Sequence, residues 1–489
     1  MFTKHQRFSL CVSLIAAVSC SIVTAQDTIT LTQLSSGRSI EAEVLHSDDQ
    51  QVTVRLASGK EHSLQLDTLT PESAEEVQSH LESKKAAQAE AYLAVNKVMG
   101  NPVFSEIHSL WDEPAKELAA RLKLKKESSV EVMQSFRRYT KGDASFLGAH
   151  PYCMTLYSSP EGKAEQLSLV FANKGDYGST RGSGEDHFKQ VYSEEKPPES
   201  LEDAIELDAK VLANTLTLQF GDPETQYFGE KTDRRKVKRW NWRNHAFVLS
   251  ELDSEYVSLA IIPLEIADAQ GKVTRINDSE MKKLKAKNVL REDNGDVRII
   301  NIPMVNQGPK GYCAPATLER AMRYMGVPAD MYLLAVSATN PETGTNTNLL
   351  VQNSERIVRS KGRRFRTLDL SDEIKIKDIK KHIDAGVPVL WRMRSLKQYN
   401  KIANKRSAAR TTVEDLATWA NEIQQEADQA VPLLKSIQDN HHICMIIGYN
   451  ETTNELAVSD SWGPRYELRW VHLDIASAVT SSNSFVLSF

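Results

Sequence analysis

The chain has 489 residues, with 60 Lys and Arg against 65 Asp and Glu, a formal net charge of −5 and five cysteines. So small an imbalance over this length argues against a nucleic-acid binder and against a disordered chain. The three cysteines left beyond a targeting segment are too few for a disulfide scaffold, and the length beyond that segment predicts roughly two to three domains.

Met1 to Ala25 reads as a secretory signal. Lys4 and Arg7 supply the positive start, Leu10 to Val23 the apolar core, and Val23-Thr24-Ala25 the small-residue cleavage site. An N-terminal membrane anchor is the alternative, disfavoured by the short apolar run; Ala17-Val18-Ser19-Cys20 is a poor lipoprotein-like one. No later run is long and apolar enough to span a bilayer. The mature protein is therefore expected to be soluble and extracytoplasmic, secreted or periplasmic, with no integral membrane segment. Its cysteines would be Cys153, Cys313 and Cys444. An odd number leaves one thiol free, or paired between chains.

From Leu31 to Leu69 the residues alternate as in short strands. Ile40, Ala42 and Val44 share one face, Val52, Val54 and Leu56 the next, and Leu64 and Leu66 follow the Ser58-Gly59-Lys60 turn signal. The Ser-Gly-Arg-x-Ile-Glu-Ala-Glu-Val string from Ser36, that turn and the closing Asp67-Thr68-Leu69 resemble the Sla-type homology domain. The resemblance implies a small SH3-like barrel over residues 26–70. It would be a binding or spacer module, with a cell-envelope partner as one option and a barrel without a ligand as the other. Residues 71–98, rich in Glu, Ala, Lys and Gln, read as a charged helical linker.

Residues 99–292 predict an α+β domain without a motif that translates into chemistry. Glu113 to Lys125 has the pattern of an amphipathic helix. Tyr152–Tyr157, Leu167–Ala172, Trp240–Leu252 and Tyr256–Leu264 have the pattern of strands. The basic run from Arg234 to Arg243 reads as a solvated strand face with its tryptophans on the other side; an anionic-polymer surface is the alternative. Cys153, in an apolar strand, reads as buried packing.

The chemistry-bearing stretch is Asn306-Gln307-Gly308-Pro309-Lys310-Gly311-Tyr312-Cys313-Ala314-Pro315. It reads as a Gly-rich loop that delivers Cys313 to the first turn of a helix. Leu318, Ala321, Met322 and Met325 then make one apolar face, Pro315 suits a first turn, and Gly326 with Pro328 ends the helix. A thiol at a helix N-terminus feels the positive end of the macrodipole, which favours thiolate. Ala385 to Trp391 reads as a helix end followed by a core strand, with Trp391 a candidate cleft residue. Thr343 to Asn346 reads as a loop. Between Tyr399 and Asn440 a polar insert predicts one helix from Val413 to about Ala430 and a short one opened by Pro432. It would be a lid over the cleft or a crossover pair. His441 to Asn450 then reads as a histidine-led buried strand, and Leu456 to Val458 as the next, which delivers Asp460-Ser461-Trp462-Gly463.

Gln307 stands six residues before Cys313, and His442 follows Cys313 by 129, near the lower end of the roughly 130–150 separation described for papain-like enzymes. With the His-x5-Gly-Tyr string from His442 and Asp460-Ser461-Trp462-Gly463, the stretch from about Ile300 to Phe489, in a domain read over 293–489, resembles the papain-like cysteine peptidase superfamily. Within it the stretch is similar to the bacteriocin-processing (double-glycine leader) peptidase-like group. The resemblance implies an α+β catalytic domain with Cys313 as nucleophile, His442 as general base and acid, Asp460 as orienter of the imidazole, and Gln307 as oxyanion donor. It also implies a peptide or protein substrate. Leader peptidases of transporters are fused to membrane spans, and none is present here, which puts a leader-peptide substrate in doubt. Neighbours on a strand point to opposite faces, so His441 is expected to be a surface or loop residue, while Cys444 shares the face of His442. No metal-ligand cluster or phosphate loop appears in the sequence, so no cofactor is implied. Acyl transfer or deamidation by the same residues, and a catalytically inactive binding protein, remain the rival readings.

Overall fold

The structure, a computed structural model, describes residues 28–489 apart from 106–107, 128–132, 178–186, 188–197, 231–233, 309–310, 337, 341–343 and 372. The expected signal sequence, Pro309, Lys310 and Thr343 lie outside the described residues. The chain is α+β and divides into two compact units, one ending at Ala91 and one running Tyr92–Phe489. Among the described residues no helix is long and apolar enough to cross a membrane.

The first unit is an antiparallel meander of β1 (Thr28–Thr32), β2 (Ser39–Ser47), β3 (Gln51–Leu56) and β4 (Glu61–Gln65). Period-two alternation places Leu31, Ala42, Val44, Val52 and Val54 in one small core. Val77, from the first turns of helix α1 (Pro71–Met99), joins them. Ile40 is expected on that face but stays exposed near the start of β2, although its cross-strand partner Leu31 is buried. After β4 the chain bonds back along the end of β1, through Leu34 N–H to the Thr68 carbonyl (2.8 Å) and Thr70 N–H to the Thr32 carbonyl (2.9 Å).

The second unit opens with an eight-stranded antiparallel sheet. Its strands are β5 (Lys125–Lys126), β6 (Ser135–Tyr139), β7 (Cys153–Ser158), β8 (Ala164–Asn173), β9 (Glu224–Phe228), β10 (Arg235–Trp242), β11 (His245–Leu252) and β12 (Tyr256–Pro263), in the order β5-β6-β7-β8-β12-β11-β10-β9. Helix α2 (Leu201–Phe220) covers one face, started by a Ser200–Asp203 capping box and packed through Ala209, Leu212 and Leu216. Three expectations change here. The single strand read over 240–252 is a hairpin that turns at Arg243, whose φ of 52° marks a tight turn without a Gly or Asn-Gly signal. In the basic run, Lys236 and Lys238 share strand parity with the buried Trp240, so position along the strand separates charge from tryptophan, and not the face. The helix read over 113–125 is confined to Ala115–Arg121, started after Pro114.

The second sheet of this unit is formed by β13 (Val289–Arg291), β14 (Asp296–Ile299), β15 (Arg364–Leu368), β16 (Val389–Arg394), β17 (His441–Asn450), β18 (Glu455–Ser459), β19 (Arg469–His472) and β20 (Ser484–Ser488). The order is β13-β14-β17-β16-β20-β15, with β18 pairing both β17 and β19. Helix α3 (Cys313–Tyr324) lies against β17. The sequence predicts one apolar face for α3, yet every residue except Cys313 and Arg323 is buried. One side, with Leu318, Ala321 and Met322, faces the main core; truncating Leu318 to alanine would cost about 2–5 kcal/mol. The other side meets the first sheet, where Cys153 and Val170 pack with Tyr312, Ala316, Met331 and Tyr332. Between them Tyr157 donates to Glu319 (3.1 Å) and Asp330 (3.2 Å). Gly326, at φ 72°, ends the helix as its position suggested.

Trp391 does not line a cleft. It is fully buried in β16, with its indole N–H donating to Thr480 Oγ1 at 2.9 Å. The insert is a helix pair, α4 (Lys397–Arg410) and α5 (Leu416–Ser436), and Pro432 lies inside α5 rather than opening a third helix. Gly344–Thr345 is read as loop from the sequence but pairs with Thr339–Asn340 in a short ladder.

Candidate active site

Cys313 is the first residue of α3, preceded by Tyr312 at the N-cap, and is half-buried. The loop that delivers it is sharply turned at Gly308, whose φ is 70°. One turn into the helix, Thr317 donates its hydroxyl to the Ile443 carbonyl at 3.1 Å. That bond ties the helix of Cys313 to the strand carrying His442, next to the imidazole itself. His442 stands near the start of β17 and Asp460 just past the end of its antiparallel neighbour β18, so the pairing of these strands brings the two together. His442 Nε2 and Asp460 Oδ1 are 2.5 Å apart, and the imidazole lies close enough to the Cys313 thiol for each to shift the titration of the other. With Nε2 taken by Asp460, Nδ1 is the nitrogen left for sulfur.

The second carboxylate oxygen, Oδ2, accepts from the guanidinium of Arg469 at the start of β19. Arg469 in turn donates to Asn400 (2.9 Å) and Asn404 (3.3 Å) of α4. Asp460 and the Arg469 side chain are almost fully buried. The helical insert therefore reaches the site through Arg469, as backing for the carboxylate. Further ties hold the insert there: Trp470 N–H to Ser407 Oγ (2.7 Å), and Arg410 to both Asp296 oxygens (2.7 Å each). Trp462 stacks on the imidazole, with ring centroids 4.9 Å apart and 29° between planes.

Gln307 is buried and lies against the segment that follows Asp460. Its backbone N–H donates to the Ser461 carbonyl (2.9 Å), and Ser461 Oγ–H donates to its Oε1 (2.8 Å). A hydroxyl donating to Oε1 sets the amide's orientation, with Nε2 as its donor end.

Burial alone would push the Cys313 thiol up. The hydrogen bond and charge of His442, with the backbone N–H groups of Ile443 and Ala314, outweigh burial and bring it below its ordinary value. Burial likewise disfavours an imidazolium, but the charge and hydrogen bond of Asp460, then those of Cys313, push His442 up to about 10. Burial would raise Asp460, yet His442 first and Arg469 next hold it below the usual carboxylate range. The opposite shifts of thiol and imidazole favour one state, a thiolate beside an imidazolium, which is a nucleophile with a proton donor in contact. The other thiols differ. Burial pushes Cys153 up to about 11 and Cys444 well above its ordinary value.

All four residues singled out in the sequence thus lie on elements joined directly to one another: Cys313 to His442, His442 to Asp460, and Gln307 to Ser461. His441 is exposed and turned away, as strand alternation requires, although it belongs to the strand and not to a loop. Sequence reasoning missed Arg469, whose only signal is an arginine set among apolar strand residues. It also assigned no role to Ser461 or Trp462, although both stand within the quoted motif.

Residues 299–474 match the model of the Peptidase_C39 like family. No characterised protein matches the chain. The C-terminal region is therefore a C39-like domain of the cysteine-peptidase type, within an α+β chain.

Proposed function

We propose that the protein is a cysteine peptidase in which Cys313 is the nucleophile, His442 the general base and acid, Asp460 the orienter of the imidazole and Gln307 a donor to the oxyanion. The observation that carries this reading is the succession of Cys313 at the start of a helix, His442 beside it, and Asp460 hydrogen-bonded to His442. The Cys313 thiolate attacks the scissile carbonyl carbon and a tetrahedral oxyanion forms, which the Gln307 amide and the Cys313 backbone N–H stabilise. The His442 imidazolium gives its proton to the leaving amine as the C–N bond breaks and a thioester remains. Imidazole then takes a proton from water, hydroxide adds to the thioester carbonyl, and the carboxylic acid leaves as Cys313 is restored. The expected signal at residues 1–25 makes the working compartment extracytoplasmic, and the N-terminal barrel is a spacer or cell-envelope contact in this reading.

The test is incubation of the full mature chain with a mixed casein digest, read by mass spectrometry, beside Cys313→Ala. New cleavage products that vanish in the variant support the reading. Products that incorporate an added amine instead of water convert it to acyl transfer. Identical digests from both proteins overturn it.

A further inference from the structure

The loop that carries Gln307 is held from both modules of the second unit. Glu127, at the end of β5, accepts from the Asn306 backbone N–H at 2.6 Å, and the Tyr139 hydroxyl, at the end of β6, donates to the Asn306 carbonyl at 2.5 Å. Asn306 Oδ1 accepts from Gly308 N–H (3.0 Å) and closes the turn. The Tyr139 ring lies so close under Gly308 that a Cβ there would come 2.7 Å from Tyr139 Cζ. At the other end of the loop, a Cβ on Gly175 would come 1.8 Å from the Tyr312 hydroxyl, so the first sheet also abuts the residue before Cys313. Arg137 of β6 pairs with Glu127 (2.9 Å) and lies 3.8 Å from Glu319 of α3, so the charge on Glu127 is answered within the same buried contact.

We propose that Glu127 and Tyr139 are positioning residues for the oxyanion donor Gln307, so that the module before the C39-like domain completes the catalytic site. The proposal rests on the hydrolase reading above. Both residues lie outside the 299–474 match and both grip the backbone of Asn306, the residue before Gln307, Glu127 at its N–H and Tyr139 at its carbonyl. The Gln307 N–H and side chain are tied to Ser461, which follows the catalytic carboxylate. The donor is therefore suspended between two anchors, one in each module. An oxyanion donor works only if it is fixed where charge develops, and a displacement of about 1 Å can cost on the order of a hundredfold.

The test compares two reactions of the same sulfur in the full chain. Acylation by p-nitrophenyl acetate passes through an oxyanion, whereas alkylation by iodoacetamide does not. Tyr139→Phe and Glu127→Gln are each expected to slow acylation of Cys313 roughly ten- to hundredfold, with the alkylation rate and its pH profile unchanged. In a Gln307→Ala background neither should slow acylation further, and amide hydrogen exchange over 305–312 should quicken in both. Undiminished acylation, an equal fall in acylation and alkylation, or the same fall in the Gln307→Ala background overturns the proposal. Wild-type protein that is not acylated at all would instead remove the hydrolase reading, and unchanged exchange over 305–312 would then overturn the anchoring on its own.

Discussion

Arg469 donates to the Asp460 oxygen that His442 leaves open, so one buried carboxylate is shared between a guanidinium and an imidazole. The arrangement fixes both the charge and the orientation of Asp460. It also links His442 to α4 through Asp460, Arg469, Asn400 and Asn404.

Arg469→Met should therefore destabilise the fold by about 3–5 kcal/mol, because a buried carboxylate loses its partner. Urea unfolding of the full chain measures this. A midpoint shift no larger than that of an exposed arginine variant would rule out the pairing.

Cys313 should be the thiol that iodoacetamide labels at pH 7, while Cys153 and Cys444, both raised by burial, stay unmodified in the folded chain. Peptide mapping after a short pulse reads this directly. Equal labelling of all three would mean that His442 does not activate the sulfur.

The pH dependence follows from the signs of the shifts. The thiolate–imidazolium pair exists above the lowered titration of Cys313 and below that of His442, near 10. Alkylation should switch on below pH 9, and amide turnover should fall as pH approaches 10 and the imidazolium loses its proton. Asp460→Asn removes the strongest upward influence on His442, so the alkaline limb should move down by more than one pH unit. A limb that stays in place in this variant contradicts the assignment.

Gln307→Ala should lower kcat on a peptide substrate by about 10²–10³, the loss typical of one oxyanion donor, and leave the alkylation rate within twofold. A loss below about threefold would remove Gln307 from the oxyanion site.

Gly308→Ala should cost more than about 1 kcal/mol, since the position has φ 70° and its Cβ would meet the Tyr139 ring. Thermal or urea unfolding checks it, and a neutral result would mean that the loop relaxes away from Tyr139.

Much of the site was legible along the chain because local signals carry it. A cysteine before a helical apolar stripe, a histidine opening an apolar run and an aspartate closing the next strand each announce an element and a position on it. Pro432 and the Trp242–His245 turn misled for the same reason: propensity speaks for a residue alone, and packing overrode it at α5 and in the hairpin.

Other features had no local signal. Trp391 carries the same composition whether it lines a cleft or fills a core, and the surrounding strands decided for the core. Glu319 and Arg320 are charged residues inside the helix that starts at Cys313. They are buried because the first sheet, distant in sequence, supplies Tyr157 and Arg137 to Glu319, while Arg320 reaches the Pro303 carbonyl (2.9 Å) and Ser459 Oγ (2.6 Å).

The sequence by itself determined which residues could perform thiol chemistry and on which elements they sit, because periodicity and helix-start signals act over a few residues. The tertiary structure alone decided that Arg469 shares the carboxylate of Asp460 and that Glu127 and Tyr139 grip the Gln307 loop. Those contacts join residues 9, 179 and 167 positions apart, and nothing local in a chain encodes which distant polar group will satisfy a buried one.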